Sequence, residues 1–234
     1  FWTFGRMFGR QPVFPETDSH ETDYFLTFGW NGMESHQIPQ APKQLQRIAK
    51  DADKMLVVID PRLSETAKIA NVHLRIRPGT DALLMRAMIA IILQEGWENK
   101  DYIAQHTSGF DEIKNLFIHF DARSAVKTCN LDYDRVREIC RQFATRKSCL
   151  RYDLGLLMNR HSAVSSYLAN VLLALCGRIG VRGGNVVHGV LMPLGSHSDE
   201  RDPKAVRTVS TDFPPIMGCY PPNAMPEEIL SDHP

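Results

Sequence analysis

The sequence predicts an α/β chain: a parallel sheet flanked by helices in three layers, followed by a Pro-rich connector. Three observations predict it. Met55-Leu-Val-Val-Ile59 is a continuous apolar run bounded by Asp60-Pro61, which suits a strand buried on both faces. An aromatic, β-favouring run, Tyr24-Phe-Leu-Thr-Phe28, precedes it, and between the two Leu45, Ile48, Ala49 and Ala52 share one helical face. Strand, helix, strand over about 35 residues is a βαβ unit, with a parallel crossover as its default.

The remaining elements follow in order. Val72–Ile76 alternates and reads as a shorter, half-exposed strand. A helix rich in Ala, Leu, Met and Ile runs from Asp81 to Glu95, with Thr80 or Asp81 able to cap its amide end and Gly96 to stop it. Further helices are expected over Lys100–His106, Asp111–Phe120 and, after the Asp132 cap signal, Tyr133–Thr145. Ser148–Tyr152 reads as a strand, and Ser162–Leu175 as a nearly all-apolar helix ended by Gly177. Eight of the fourteen prolines lie between Pro193 and Pro234, where periodicity is lost. Residues 1–147 are therefore expected as a Rossmann-like lobe, and 148–234 as the start of a second α/β lobe with an extended connector.

Composition excludes several classes. Lys plus Arg and Asp plus Glu are 27 each, so no global field draws the chain to nucleic acid or an anionic membrane. The longest apolar candidate, Met85–Leu93, is interrupted by Arg86 and falls short of the roughly 20 residues that span a bilayer. The five cysteines show no C-x-x-C pair, which argues against a local zinc or iron–sulfur site and for free, buried thiols in a reducing compartment. That favours the cytoplasm. A periplasmic location stays open, because the chain opens at Phe1 without an initiator Met and is expected to be an internal piece, so that a leader would precede it.

Three stretches carry chemistry. Gly29-Trp-Asn-Gly-Met-Glu-Ser35 follows the first strand, where α/β sheets bind ligands; Gly29 and Gly32 let backbone amides approach a ligand, or simply make a turn. If Gly29 cradles phosphate, a β-branched residue there is expected to leave a folded protein empty of ligand. Asp60-Pro61-Arg62 ends the second strand. The carboxylate is placed to accept from ribose hydroxyls, or to cap Ser64, and Arg62 to reach a phosphate or stay solvated. Arg77-Pro-Gly79-Thr-Asp81 opens the long helix. Guanine offers two adjacent N–H donors that one carboxylate can take as a bidentate pair, and Asp81 is placed for this, or for interaction with the helix dipole.

Together these segments carry a family resemblance. GWNGMES, VVIDPRLSETAKIANVHLRIRPGTDALL and LCGRIGVRGGNV resemble the dimethyl sulfoxide reductase family of molybdenum and tungsten enzymes, from about Asp23 to Asn185. The resemblance implies a metal held between two molybdopterin guanine dinucleotides by two related α/β lobes, and two-electron redox or oxygen-atom chemistry on a small-molecule substrate. It implies that Gly29, Asn31 and Ser35 line the diphosphate and ribose, that Asp60 and Arg62 meet the ribose and guanine, and that Gly79 and Asp81 meet the guanine edge. Asp153-Leu-Gly-Leu-Leu-Met-Asn-Arg-His161 lies where the family carries a pterin-side turn. It keeps Gly155 and His161 in register but lacks the turn's first glycine and its glutamine, and Gly32 stands where a proline commonly follows the asparagine. The metal ligand, any iron–sulfur cysteines and an iron–sulfur electron-transfer partner subunit are implied outside this stretch, so no residue here is assigned to the metal. The alternatives are a non-catalytic scaffold subunit of the same fold and a nicotinamide-dependent Rossmann dehydrogenase; the latter lacks its G-x-G-x-x-G.

Overall fold

A computed structural model describes residues 1–11, 13, 15–187 and 204–232. It divides into two compact units, Pro15–Val186 and Phe1–Phe14 with Val187–Pro234.

Helix α1, Trp2–Phe8, belongs to the smaller unit and ends on Gly9 at φ +76°, the left-handed conformation glycine adopts freely. The larger unit opens with β1, Glu16–Thr17, then β2, Tyr24–Phe28, all five residues of which are buried. The short helix α2, Gly32–Ser35, and α3, Ala41–Lys50, lead to β3, Met55–Ile59. Helix α4, Glu65–Ile69, leads to β4, Val72–Leu74, which stops short of the expected Ile76. Five helices follow: α5, Asp81–Glu95; α6, Lys100–His106; α7, Phe110–Ile118; α8, Ala122–Thr128; and α9, Tyr133–Thr145. Strand β5, Ser148–Tyr152, returns to the sheet, followed by α10, Leu154–Leu157, α11, Ser162–Leu175, and β6, Asn185–Val186.

The main sheet is parallel throughout, in the order β4-β3-β2-β5. The boundary expected at residue 147 therefore falls inside one sheet, since Tyr24 lies opposite both Met55 and Ser148. One face is covered by α3 and α4. Phe25, Leu56, Val58 and Cys149 point there, onto Leu45 and Ile48 of α3 and Ala67 of α4. On the other face Tyr24 meets Phe143 of α9 edge-on, and Tyr152 hydrogen-bonds Ser166 of α11. This is the three-layer α/β arrangement the alternating strands and helices call for. Helix α5 is buried on nearly every side, among α7, α8, α9 and α11, which explains its apolar composition all round.

Order of strands decides where a ligand fits. The chain starts at β2, moves to β3 and β4 on one side, then crosses to β5 on the other. The crevice between the carboxyl ends of β2 and β5 is thus a switch point, the place where open α/β sheets take ligands. Strand β6 pairs antiparallel with β1, and Asn185 there acts as a surrogate strand. Its side chain accepts from Leu150 N at 2.9 Å and donates to Leu150 O at 2.8 Å.

In the smaller unit, Gln11 accepts a hydrogen bond from Met217 N at 2.8 Å, and Glu228 of α12, Met225–Ile229, accepts from Val209 N and Ser210 N. Of the expected Pro-rich connector, 188–203 and 233–234 lie outside the described residues; 204–232 holds turns, a bridge and α12. Among the described residues no helix is long and apolar enough to cross a membrane.

Candidate functional site

The exits of β2, β3 and β5 hold most of the residues singled out above, and each has a definite local role. Gly29 has φ +55°, and a Cβ there would lie 2.8 Å from the carbonyl carbon of Gly155 and 2.8 Å from Leu156 N. Its amide donates to Ile59 O at 3.1 Å and its carbonyl accepts from Gly155 N at 3.1 Å. The glycines at 29 and 155 therefore stitch the two sides of the crevice together at backbone contact. This corrects the reasoning from ligand approach alone: the Gly29 amide is bonded within the sheet, and a side chain there meets backbone before any ligand. Gly32 is likewise a packing position, since a Cβ would lie 2.8 Å from Leu45 Cδ1 and closer still to the Trp30 ring.

Asn31 faces α4. Its Nδ2 donates to Glu65 Oε2 at 2.7 Å, and its Oδ1 accepts from Thr66 N at 3.1 Å and Thr66 Oγ1 at 2.9 Å. Ser35, at the end of α2, donates to Asn31 O at 3.1 Å. Beyond it the backbone turns sharply: His36, Gln37 and Gln40 all have left-handed φ, at +56°, +61° and +53°. Gln37 accepts from Arg151 Nη2 at 2.8 Å, while Arg151 also pairs with Glu16.

At the exit of β3, Asp60 Oδ1 accepts from Arg62 N at 2.7 Å, a local turn that leaves Oδ2 free of that bond. Ser64, not Asp60, caps α4, accepting from Ala67 N at 3.2 Å. Arg62 is largely exposed and reaches Glu65 Oε2 at 3.3 Å. Gly79 sits at φ +78° with nothing within 4 Å of a built Cβ, so its conformation demands glycine while the space beside it stays open. Two residues on, Asp81 begins α5 with only 8% of its surface exposed. Among the described residues no cation pairs with it. Burial pushes its carboxyl above the usual range, and the nearby charge of Asp60 adds to the rise.

His161 is exposed ahead of α11, its amide bonded to Asn159 Oδ1 at 2.7 Å. The structure thus joins Gly29 to Gly155 directly, links Asn31 to Arg62 through Glu65, and brings Asp60 within electrostatic reach of Asp81. It shows no bond from His161 to the others. Glu65, Thr66 and Arg151 escaped sequence reasoning. The signal for the first two was present, as a Ser-Glu-Thr helix start directly after Asp-Pro-Arg. Among the described residues no three His, Cys, Asp or Glu side chains converge as a metal site, and Cys129, Cys140, Cys149 and Cys176 are buried free thiols.

A parallel sheet with a switch point, tight turns at the exits of β2 and β5, and carboxylates after β3 and β4 has the architecture of an α/β ligand-binding lobe. Comparison with known proteins narrows this. The family model for molybdopterin oxidoreductase matches residues 4–217. The chain is 30% identical over 170 residues to F420-dependent formate dehydrogenase subunit alpha of Methanocaldococcus jannaschii, covering 72% of this chain and 25% of that protein. It is 27% identical over 177 residues to formate dehydrogenase H of Escherichia coli, covering 72% and 24%. In fold it resembles the solved acetylene hydratase from Pelobacter acetylenicus, with TM-score 0.62 at 23% identity over 70% of this chain and 23% of that one. The chain belongs to the molybdopterin oxidoreductase family, and it spans about a quarter of the length of these relatives. Family membership implies molybdopterin with molybdenum or tungsten.

Proposed function

We propose that this chain holds the guanine-nucleotide end of a molybdopterin guanine dinucleotide within a molybdenum or tungsten oxidoreductase. One observation carries the reading: the Asp81 carboxylate is buried at the start of α5, has no cation beside it among the described residues, and stands two residues after Gly79, beside which space is open. Asp81 is bonded to its own backbone amide, but a buried carboxylate without a counter-charge is still costly, and the parallel ring N–H and exocyclic amine of guanine can pair with its oxygens. The residues present fit that group. Asp60, whose Oδ1 serves a local turn, keeps its other oxygen for a ribose hydroxyl. Arg62 is exposed at the same mouth and long enough to neutralise a phosphate. Because Gly29 N is bonded to Ile59 O, the diphosphate would rest on the amides of residues 30–32.

When bound, such a cofactor supplies two-electron redox or oxygen-atom chemistry at its metal; this chain binds and orients it. Turnover of a small-molecule substrate, with an iron–sulfur partner to carry electrons, belongs to the same reading. Formate is the favoured substrate class, since both relatives named above are formate dehydrogenases. The test uses GDP as a probe of the nucleotide end. Calorimetric titration of the chain should show binding that prefers GDP to ADP, and Asp81→Ala should weaken it by about 2–4 kcal/mol, with a donor pair left unmet. GDP binding of equal strength in Asp81→Ala refutes the assignment.

A further inference from the structure

The two turns that frame the nucleotide mouth leave different strands, yet one set of side chains holds them together. Asn31, after β2, has both ends of its amide held by α4: Nδ2 on Glu65 Oε2 at 2.7 Å, Oδ1 on the amide and hydroxyl of Thr66 at 3.1 and 2.9 Å. Thr66, fully buried, also accepts from Met33 N at 3.1 Å, inside the turn. Glu65 Oε2 takes Arg62 Nη2 as well, at 3.3 Å. Its carboxyl is held down to about 2, first by a hydrogen bond from its own backbone amide and then by Asn31, so it is ionised at neutral pH.

Within the Gly29–Ser35 turn the Asn31 carbonyl accepts from Glu34 N, Ser35 N and Ser35 Oγ, but the Asn31 side chain is held only from α4. Asn31 has φ −101° and ψ 74°, outside both helix and strand, and Gly32 follows with no Cβ to limit it. The backbone bonds of Gly29 fix the start of the turn, and α4 fixes its middle, at the Asn31 side chain and Met33 N. Asp81, by contrast, is set by α5 and the Arg77–Thr80 turn, a separate framework tied to Cys129 through Arg77 N.

We infer that Glu65 and Thr66 are positioning residues that hold the Asn31 turn in the shape that receives the diphosphate of a guanine nucleotide. The inference rests on the site assignment above. Its signature is a split: breaking the clamp should disturb the diphosphate end and spare the base end. Rigid placement of donors is what gives such a contact its value.

The experiment titrates the chain with GDP and, separately, with guanosine, reading affinity by NMR and folding by circular dichroism. Glu65→Ala should cut the preference for GDP over guanosine about tenfold, with guanosine affinity unchanged. Thr66→Val, nearly isosteric, should do the same, and it carries the test if Glu65→Ala fails to fold. Glu65→Gln, which still offers Asn31 an acceptor, should restore the preference to within about threefold of the parent. A role confined to stability would lower both affinities together, or neither. If Glu65→Ala and Thr66→Val keep the parent's preference, the inference is overturned while the site assignment stands. If the parent binds neither GDP nor guanosine, the site assignment falls, and this inference with it.

Discussion

Replacing Gly29 with alanine tests whether the crevice is built on backbone contact. The added Cβ would lie 2.8 Å from Gly155 C and Leu156 N, inside any ordinary van der Waals distance, and those atoms are backbone, not a flexible side chain. Forcing a methyl into a packed contact costs about 1–3 kcal/mol. The φ of +55° adds about 1 kcal/mol of left-handed strain for an L-residue. The sum, about 2–4 kcal/mol, includes no further loss if the Gly155 N to Gly29 O bond survives at 3.1 Å. For a unit of this size, each kcal/mol lowers Tm by about 2–4 °C, so the expected drop is about 4–16 °C. Thermal unfolding followed by circular dichroism, with a urea titration alongside, measures it directly. Gly155→Ala should behave alike, because the clash is reciprocal, and the double variant should be less damaging than the two losses added. A Gly29→Ala protein melting within about 2 °C of the parent would refute the reasoning, and would return Gly29 to the role of a ligand-facing turn.

The other expectations concern single groups. Asn185→Ala strips the partners from Leu150 N and Leu150 O at the edge of β5, and should destabilise the chain by about 2–4 kcal/mol in urea unfolding. An unchanged midpoint would mean water replaces both bonds. Asp81→Asn should stabilise the ligand-free protein at neutral pH. The folded carboxyl titrates above its ordinary value, so the parent's stability is fully present below that value and is lost as pH rises through the raised one. The variant's advantage should therefore grow with pH over that window; an advantage largest at low pH would reverse the sign and exclude desolvation as the cause. Finally, of the five thiols only Cys219 is exposed, and burial pushes Cys149 and Cys176 up to about 12. Ellman's reagent should titrate one thiol quickly in the native chain and the rest only on unfolding. A second fast thiol would show that the core opens readily.

The sequence by itself determined the elements whose physics is local. Met55–Ile59 is apolar without a break, which suits a strand buried on both faces, and all but Met55 are buried; Asp81–Glu95 is bounded by a turn and by Gly96, which adopts φ +70°. Tyr133–Thr145 begins where Asp132 offers a cap, and its side chain does accept from Arg135 N at 2.8 Å. Motif order placed Asp60 and Asp81 at strand and helix ends, because such placements depend on a few neighbouring residues. Helix α8 does not stand out in the sequence although Asp121 caps it in the same way. Tertiary structure alone decided the rest. That β5 lies beside β2, making the crevice, follows from pairing residues more than a hundred positions apart, which no local signal encodes. Gly29 reads from sequence as space left for a ligand, but the space is filled by Gly155. Asn31 reads as a turn residue, but its amide is held by Glu65 and Thr66 from the next strand's exit. In each case the residue type states what a position tolerates, and only the chain brought against it states what that tolerance is for.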